Sequence, residues 1–316
     1  MPGISAELEE HYKSVEHALT HGRVVPLLGA GVNLCGRPPD ARWADAASFL
    51  PSGGELAEYL AKPFGYAVDD LARVAQTVAV MQGPGPLYES LRKVFDADYT
   101  PTALHRFLAG LPGALRARGA PRPYQLIVTT NYDDVLETAF READEPYDLV
   151  WYMAEGAMRR GKFWHWPPPQ QQCEPRLIEV PNEYQELSLA TRTVILKFHG
   201  AVDRTDSDRD SYVITEDHYI DYLTRTEIAS LVPVDLVAKL LRSHFLFLGY
   251  ALRDWNVRVI LHRLWSEQEL AYRSWAIQLG TSDVDRRMWQ ERKVEIHDVD
   301  LLEYVTELAR RLGVAL

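Results

Sequence analysis

The chain has 316 residues, 47% of them hydrophobic, enough for one large α/β domain or two smaller ones. Lys and Arg total 34 against 45 Asp and Glu, a formal charge of −11. Such an acidic chain is poorly suited to sequence-independent nucleic-acid binding, which rests on neutralising phosphates. Two cysteines, Cys35 and Cys173, exclude a disulfide framework and any four-cysteine zinc site.

In chain order, Leu8, Tyr12, Val15 and Leu19 recur at helical spacing, and Gly22 stands where such a helix stops. VVPLLG (Val24 to Gly29) is a short apolar run ending in a glycine turn, the pattern of a buried strand. Residues 35–98 are helical in pattern, broken at Pro38 and Pro39, at PSGG (51–54) and at GPGP (83–86), and read as a helical insertion. Thr100 and Pro101 form an N-cap and first-turn pair for a helix through Leu111. YQLIVTTN (124–131) is the next strand, and Asp133 or Asp134 caps the helix VLETAFREA after it. Further strands are expected within 148–153, 193–200, 244–250, 274–280 and 293–299, with WHWPPPQQQ (164–172) as a loop. A last helix puts Leu301, Leu302, Val305, Leu308 and Leu312 on one face.

Strands alternating with helices predict a parallel sheet with right-handed crossovers. The expected fold class is α/β, a Rossmann-like parallel sheet of about six strands with helices on both faces. A single domain spanning 1–316 would carry the 35–98 helical insertion within it. No stretch approaches the run of about 20 apolar residues that spans a membrane. The polar start, MPGISAELEEHYKSVEH, lacks a signal-peptide core, so a cytoplasmic location is expected.

Four apolar runs end in small or polar residues: GAGVN (29–33), TTNYD (129–133), HG (199–200) and GYALRD (249–254). Ligands of parallel α/β sheets bind beyond the carboxyl ends of the strands, so these segments should converge on one crevice. The glycines of GAGVN allow a tight turn and close backbone approach to a pyrophosphate, although Leu34 stands where the dinucleotide fingerprint has a third glycine. An ordinary strand-to-helix turn explains that segment equally well. TTNYD offers the Asn131 amide and the Asp133 carboxylate; a polar loop in which Asp133 caps the next helix also accounts for it. His199 closes a strand and is followed by Gly200, which removes bulk beside the ring. Imidazole takes a proton near neutral pH, which makes it the natural general base. His105, His165, His218, His244, His262 and His297 lack that setting and read as structural or surface residues. Gly249 allows close approach to a ribose or phosphate, and Asp254 caps a helix start.

The order GAG-x-(S/N), T-x-N-x-D, HG, G-x-(S/A)-L resembles the sirtuin family across roughly residues 24 to 254. Pro101, His105, Leu108, Ala109 and Leu111 are similar to its P-x3-H-x2-L-A-x-L helix. The resemblance implies NAD+ as substrate, with Asn131 and His199 as catalytic residues. Asn131 would position the reacting water or ribose hydroxyl, and His199 would take a proton from it. Gly29, Ala30, Gly31 and Asn33 would cradle phosphate and ribose. Thr130 would belong to the cofactor site, standing where the family has glutamine. Asp133 would hold the nicotinamide carboxamide, and Gly249 and Tyr250 would line the adenosine side.

Between HG and GYALRD there is no cysteine, so the zinc ribbon of the sirtuin deacylases is missing and no metal is expected. That departure resembles the zinc-free sirtuin-like domains of bacterial anti-phage systems, the short-Argonaute, Thoeris and HerA-ATPase-associated types. It implies an NAD glycohydrolase that depletes NAD when activated. The resemblance also implies a homo-oligomer and a defence partner protein such as a HerA-type ATPase, while the acidic charge and the lack of a spanning apolar run lead to the expectation of no direct nucleic-acid or membrane contact. Two alternatives stand beside it: an NAD-dependent protein deacylase, and a non-catalytic subunit that senses NAD or ADP-ribose. A dehydrogenase is disfavoured by the missing third glycine.

Overall fold

The computed structural model describes residues 5–44, 48–65, 70–156, 158–224, 231–250 and 272–316. The predicted apolar runs form seven strands: β1 (Val24–Leu28), β2 (Leu126–Thr129), β3 (Tyr147–Tyr152), β6 (Thr193–Lys197), β7 (His244–Leu248), β8 (Ser274–Ile277) and β9 (Val294–His297). They join one sheet in the order β3-β6-β2-β1-β7-β8-β9, every neighbour parallel. Two strands that the sequence reading missed extend it beyond β3: β4 (Phe163–Trp166) and β5 (Arg176–Ile178), both pairing antiparallel. WHW is therefore strand, not loop. It alternates, with Phe163 and His165 buried and Trp164 and Trp166 half-buried, a two-residue period masked by the prolines that follow.

Helices cover both faces, as expected. Alternate residues of a strand point to opposite sides. Thus Val24 and Leu28 join one core with α1 (Ala6–Thr20), α5 (Ala103–Ala117), α6 (Val135–Glu142) and α10 (Leu301–Leu312). Val25 and Leu27 join the other with α7 (Glu216–Thr224), α8 (Val234–Leu241) and α9 (Asp283–Gln290). Gly22 ends α1 in the left-handed region, φ +60°. The start of α5 differs from expectation: its N-cap is Thr102, and the helix continues past Leu111 through Pro112 to Ala117. Leu111 and Leu115 stay buried along one stripe, and that packing outweighs the donor lost at Pro112. The cap assigned to Asp254 lies outside the described residues, as does His262.

Within 35–98, α2 (Gly53–Ala61), α3 (Leu71–Gln82) and α4 (Pro84–Phe95) build a third apolar cluster. It closes on Tyr132 and Val135 after β2 and on Val202, Tyr212 and Ile214 after β6. The helical segment therefore sits over the carboxyl ends of the central strands. Among the described residues, no helix is long and apolar enough to cross a membrane.

Candidate functional site

The four predicted strand ends belong to neighbouring strands, β6-β2-β1-β7. After β1 the chain enters a 3-10 helix, Ala30–Leu34. There Gly31 N donates to Gly249 O at 2.9 Å, and Gly29 N to Leu248 O at 3.0 Å. A Cβ on Gly31 would lie 2.6 Å from Gly249 O, and one on Gly249, at φ +69°, would lie 2.3 Å from Val32 N. These glycines are required because the β1 and β7 turns cross backbone to backbone. Thr130 Oγ1 and the Tyr250 hydroxyl, 2.9 Å apart, tie the β2 end to the same crossing.

Asn131 is held beside this crossing. Its N–H donates to Thr129 Oγ1 at 3.0 Å, and its Nδ2 donates to Gly29 O at 3.2 Å. Asp133 is buried. Its Oδ2 accepts from Asn33 Nδ2 at 2.9 Å and its Oδ1 from Val135 N at 3.1 Å, so it ties down the start of α6 as one sequence reading proposed. Burial raises the Asp133 carboxyl, while the Lys197 ammonium and the Asn33 amide pull it down. Lys197, itself buried, donates to the Asp133 carbonyl and pairs with Glu137 at 2.6 Å. Among the described residues, Asn33 Oδ1 meets no hydrogen-bond partner.

His199 is 4% exposed, packed edge-on against Tyr219 and Tyr222 at centroid distances of 5.5 and 5.9 Å. Among the described residues, its Nε2 meets no hydrogen-bond partner. Burial pushes its pKa down to about 3, so the ring is neutral. Gly200 serves a different purpose from the one read in the sequence. It sits at φ +91°, where a Cβ would lie 2.1 Å from the Ser211 carbonyl oxygen. The glycine makes room for backbone, not for the ring. His105 is a structural anchor: its Nδ1 accepts from Thr102 N at 3.2 Å, while the Thr102 hydroxyl donates to Val32 O at 3.2 Å. The predicted P-x3-H motif thereby fastens α5 to the β1 turn.

These elements enclose a cavity of about 360 Å³, within the size range of small-molecule sites. Ala30, Gly31, Asn33, Thr130, Asn131, Asp133, His199, Gly249 and Tyr250 all line it. Gly29 is not on the wall and reaches the site through its carbonyl on Asn131. The sequence reading missed the opposite wall, formed by Leu50, Pro51, Ser52, Gly53, Leu56, Leu71 and Phe95, with Tyr132 and Tyr219 beside them. A signal was present: Ser52 followed by Glu55 is a capping box, here fully formed. The Glu55 carboxylate also binds Arg37 and accepts from Trp43 N, fixing where α2 begins. Two other cavities, of about 410 and 440 Å³, contain none of the predicted residues. Among the described residues, Glu7, Glu295 and His297 have potential ligand atoms within 4.8 Å of one another, and none of the three lines this cavity.

Chemically, the cavity combines a neutral imidazole with a vacant nitrogen, a fixed amide and a buried carboxylate. Its orphaned polar atoms, His199 Nε2 and Asn33 Oδ1, fit a polar ligand better than an apolar one, because an unmet buried polar group costs about 1–3 kcal/mol. A family profile described as "SIR2-like domain" matches residues 125–297. The chain is also 23% identical over 257 residues to "Defense-associated sirtuin 2" of Bacillus subtilis, covering 80% of this chain and 20% of that protein. It spans only a fifth of that relative's length. The profile match takes in more than half of the 316 residues, and with the strand-end cavity it shows that the chain belongs to the SIR2-like family.

Proposed function

We propose that the chain is an NAD+ glycohydrolase that releases nicotinamide and ADP-ribose, as a cytoplasmic anti-phage effector switched on by a partner protein or by self-association. Residues 1–316, with the 35–98 insertion, act in this reading as one NAD-binding unit. The observation that carries it is the vacant Nε2 of buried His199 on the wall that also presents Asn131 and Asp133. The name of the Bacillus relative supports the defence role.

The chemistry needs few groups. The C1′–N bond of the pyridinium breaks with both electrons going to nitrogen, so nicotinamide leaves neutral and requires no general acid. The ribose passes through an oxocarbenium-like state and water adds at C1′. Asn131, anchored to Gly29 O through Nδ2, keeps its carbonyl oxygen as an acceptor to orient that water. His199 takes the proton released as water adds, then passes it to solvent. Asp133, held by Asn33 and the Val135 amide, faces the nicotinamide carboxamide. The test is nicotinamide release from NAD+ by the purified chain, alone and with candidate partners such as a HerA-type ATPase. Release that tracks protein and disappears in His199→Ala is expected. Tight ADP-ribose binding with no turnover under any partner would replace the hydrolase with a sensor.

A further inference from the structure

The edge strand β9 turns polar residues toward an apolar core. Glu295 and His297, two apart, share one side of the strand. They pair in register with Trp275 and Ile277 of β8, both members of the core that includes α1. On α1, Glu7 and His11 are four residues apart and so lie on one helix face. The His11 and His297 rings meet there with centroids 3.9 Å apart. Both residues are more than nine-tenths buried, His11 at 4% exposed and His297 at 6%. His11 Nε2 lies 2.9 Å from the Tyr304 hydroxyl. Among the described residues, His297 Nε2 meets no hydrogen-bond partner, and an unmet buried nitrogen is costly.

The spacing around that nitrogen suits a cation. His297 Nε2 and Glu295 Oε1 are 3.5 Å apart. That is long for a hydrogen bond. It is close to the edge of a tetrahedron around a cation bonded at about 2.1 Å, which is roughly 3.4 Å. Exposed Glu7 brings a second carboxylate, and the ligand atoms of Glu7, Glu295 and His297 all lie within 4.8 Å of one another. Glu7 and Glu295 also line a cavity of about 440 Å³, which gives an entry path and room for water at a fourth position. Arg273, Arg286 and Lys293 line the same cavity and temper the affinity. Arg273 takes the other oxygen of Glu295, Oε2, at 3.3 Å, and Arg286 is turned to Ile296 O and Asp298. Glu295 Oε1 is thus left facing His297.

We propose that Glu7, Glu295 and His297 bind a divalent metal ion of the zinc class, which pins α1 to the edge strand β9. The donor set needs no cysteine. Its imidazole favours Zn²⁺ over Ca²⁺ and Mg²⁺, which take oxygen ligands. The site is separate from the proposed NAD cavity, which none of the three residues lines.

The test is calorimetric titration of ZnCl2, with CaCl2 for comparison, into the full chain after chelator treatment. The proteins are wild type, Glu7→Gln, His297→Gln and the double variant His17→Gln/His21→Gln. The double variant removes an exposed histidine pair on α1, rings 4.2 Å apart, that would trap zinc adventitiously. Wild type should bind one Zn²⁺ per chain in the micromolar range and Ca²⁺ much more weakly. Glu7→Gln and His297→Gln should each weaken Zn²⁺ binding at least about tenfold, since loss of an outer partner alone costs about 10–100-fold. The double variant should bind as wild type does. Excess Zn²⁺ should raise the melting temperature of wild type and not of Glu7→Gln. Glu7 is exposed, so its variant tests the site even where His297→Gln folds poorly. A wild type that takes no Zn²⁺ would overturn the proposal. So would Zn²⁺ binding that survives both Glu7→Gln and His297→Gln, or that disappears only in the double variant. Ca²⁺ bound as tightly as Zn²⁺ would overturn the place of His297 among the ligands.

Discussion

His165 on β4 and His199 beyond β6 are both buried, but their rings are used differently. His165 has both nitrogens engaged: Nε2 with Asp148 Oδ1 at 2.9 Å, Nδ1 with the Tyr184 hydroxyl at 2.6 Å. Asp148 is bonded in turn to Arg192 Nε at 2.7 Å. That chain of bonds links β3, β4 and the segment before β6, holding the antiparallel edge in place. His199 has two tyrosine edges against its ring and, among the described residues, no hydrogen-bond partner on Nε2. A satisfied buried imidazole stabilises the fold; one left unsatisfied at a cavity wall has a stability cost and is free to act on a ligand.

Substitution should separate the two. His199→Ala should lower nicotinamide release by about 10²–10⁴, the usual worth of a positioned acid–base group. Its melting temperature should stay close to wild type, since the ring makes no hydrogen bond at Nε2. Asn131→Ala should lower turnover likewise, with a stability loss of about 1 kcal/mol from the lost Nδ2 bond to Gly29 O. Near-normal turnover in His199→Ala would erase the distinction between the two histidines.

His165→Ala should show the reverse. Asp148, fully buried, would keep Arg192 and lose its His165 hydrogen bond, and chemical denaturation should report a loss of about 1–3 kcal/mol, the cost of leaving a buried acceptor unmet. Turnover per folded molecule should be retained. A stable His165→Ala protein with impaired turnover would move the site toward the antiparallel edge.

Acid should act on the unsatisfied and desolvated rings. Burial pushes His11, His105 and His199 down to about 3. Below a pH of about 6.5 the unfolded chain takes up protons that these folded rings refuse, so stability should fall with pH by up to about 1.4 kcal/mol per unit for each histidine. Asp133 and Glu137, raised by burial, work in the opposite direction, because the folded state protonates them first. Denaturation at pH 7 and pH 5 should show a net loss, with a shallower slope in His199→Ala. A curve that is flat or rises toward acid would contradict the assignment of these rings as neutral.

The smallest effect should come from Tyr250→Phe. It removes the hydroxyl bond to Thr130 and should cost about 1 kcal/mol by denaturation. A loss several times larger would mean that the β2–β7 tie supports the whole glycine crossing.

Much of this was legible in the order of residues. Apolar runs such as Val24–Leu28 and Thr193–Lys197 are buried on both faces, and that burial leaves a continuous hydrophobic signature. Their polar ends announced Asn131, Asp133 and His199 because a parallel sheet gathers its strand ends on one side. Less legible were β4, whose half-buried Trp164 and Trp166 break the apolar pattern, and β5, a three-residue edge strand that begins on exposed Arg176. The glycines were visible, but their reasons were not. Gly31 and Gly249 answer to each other's backbone, and Gly200 answers to Ser211, residues far apart in the chain.

The sequence by itself determined the parallel sheet, the helices on its faces and the identity of the polar strand ends, because periodicity and turn chemistry act over a few neighbouring residues. Only the tertiary structure decided that α2, α3 and α4 fold over those strand ends and that the N–H groups of Gly29 and Gly31 are taken by the carbonyls of Leu248 and Gly249. It also decided that, among the described residues, His199 is left with a nitrogen that meets no partner while both nitrogens of His165 are engaged. Those outcomes depend on which distant side chains and carbonyls arrive as partners, and a buried polar group's role follows from the partners it receives.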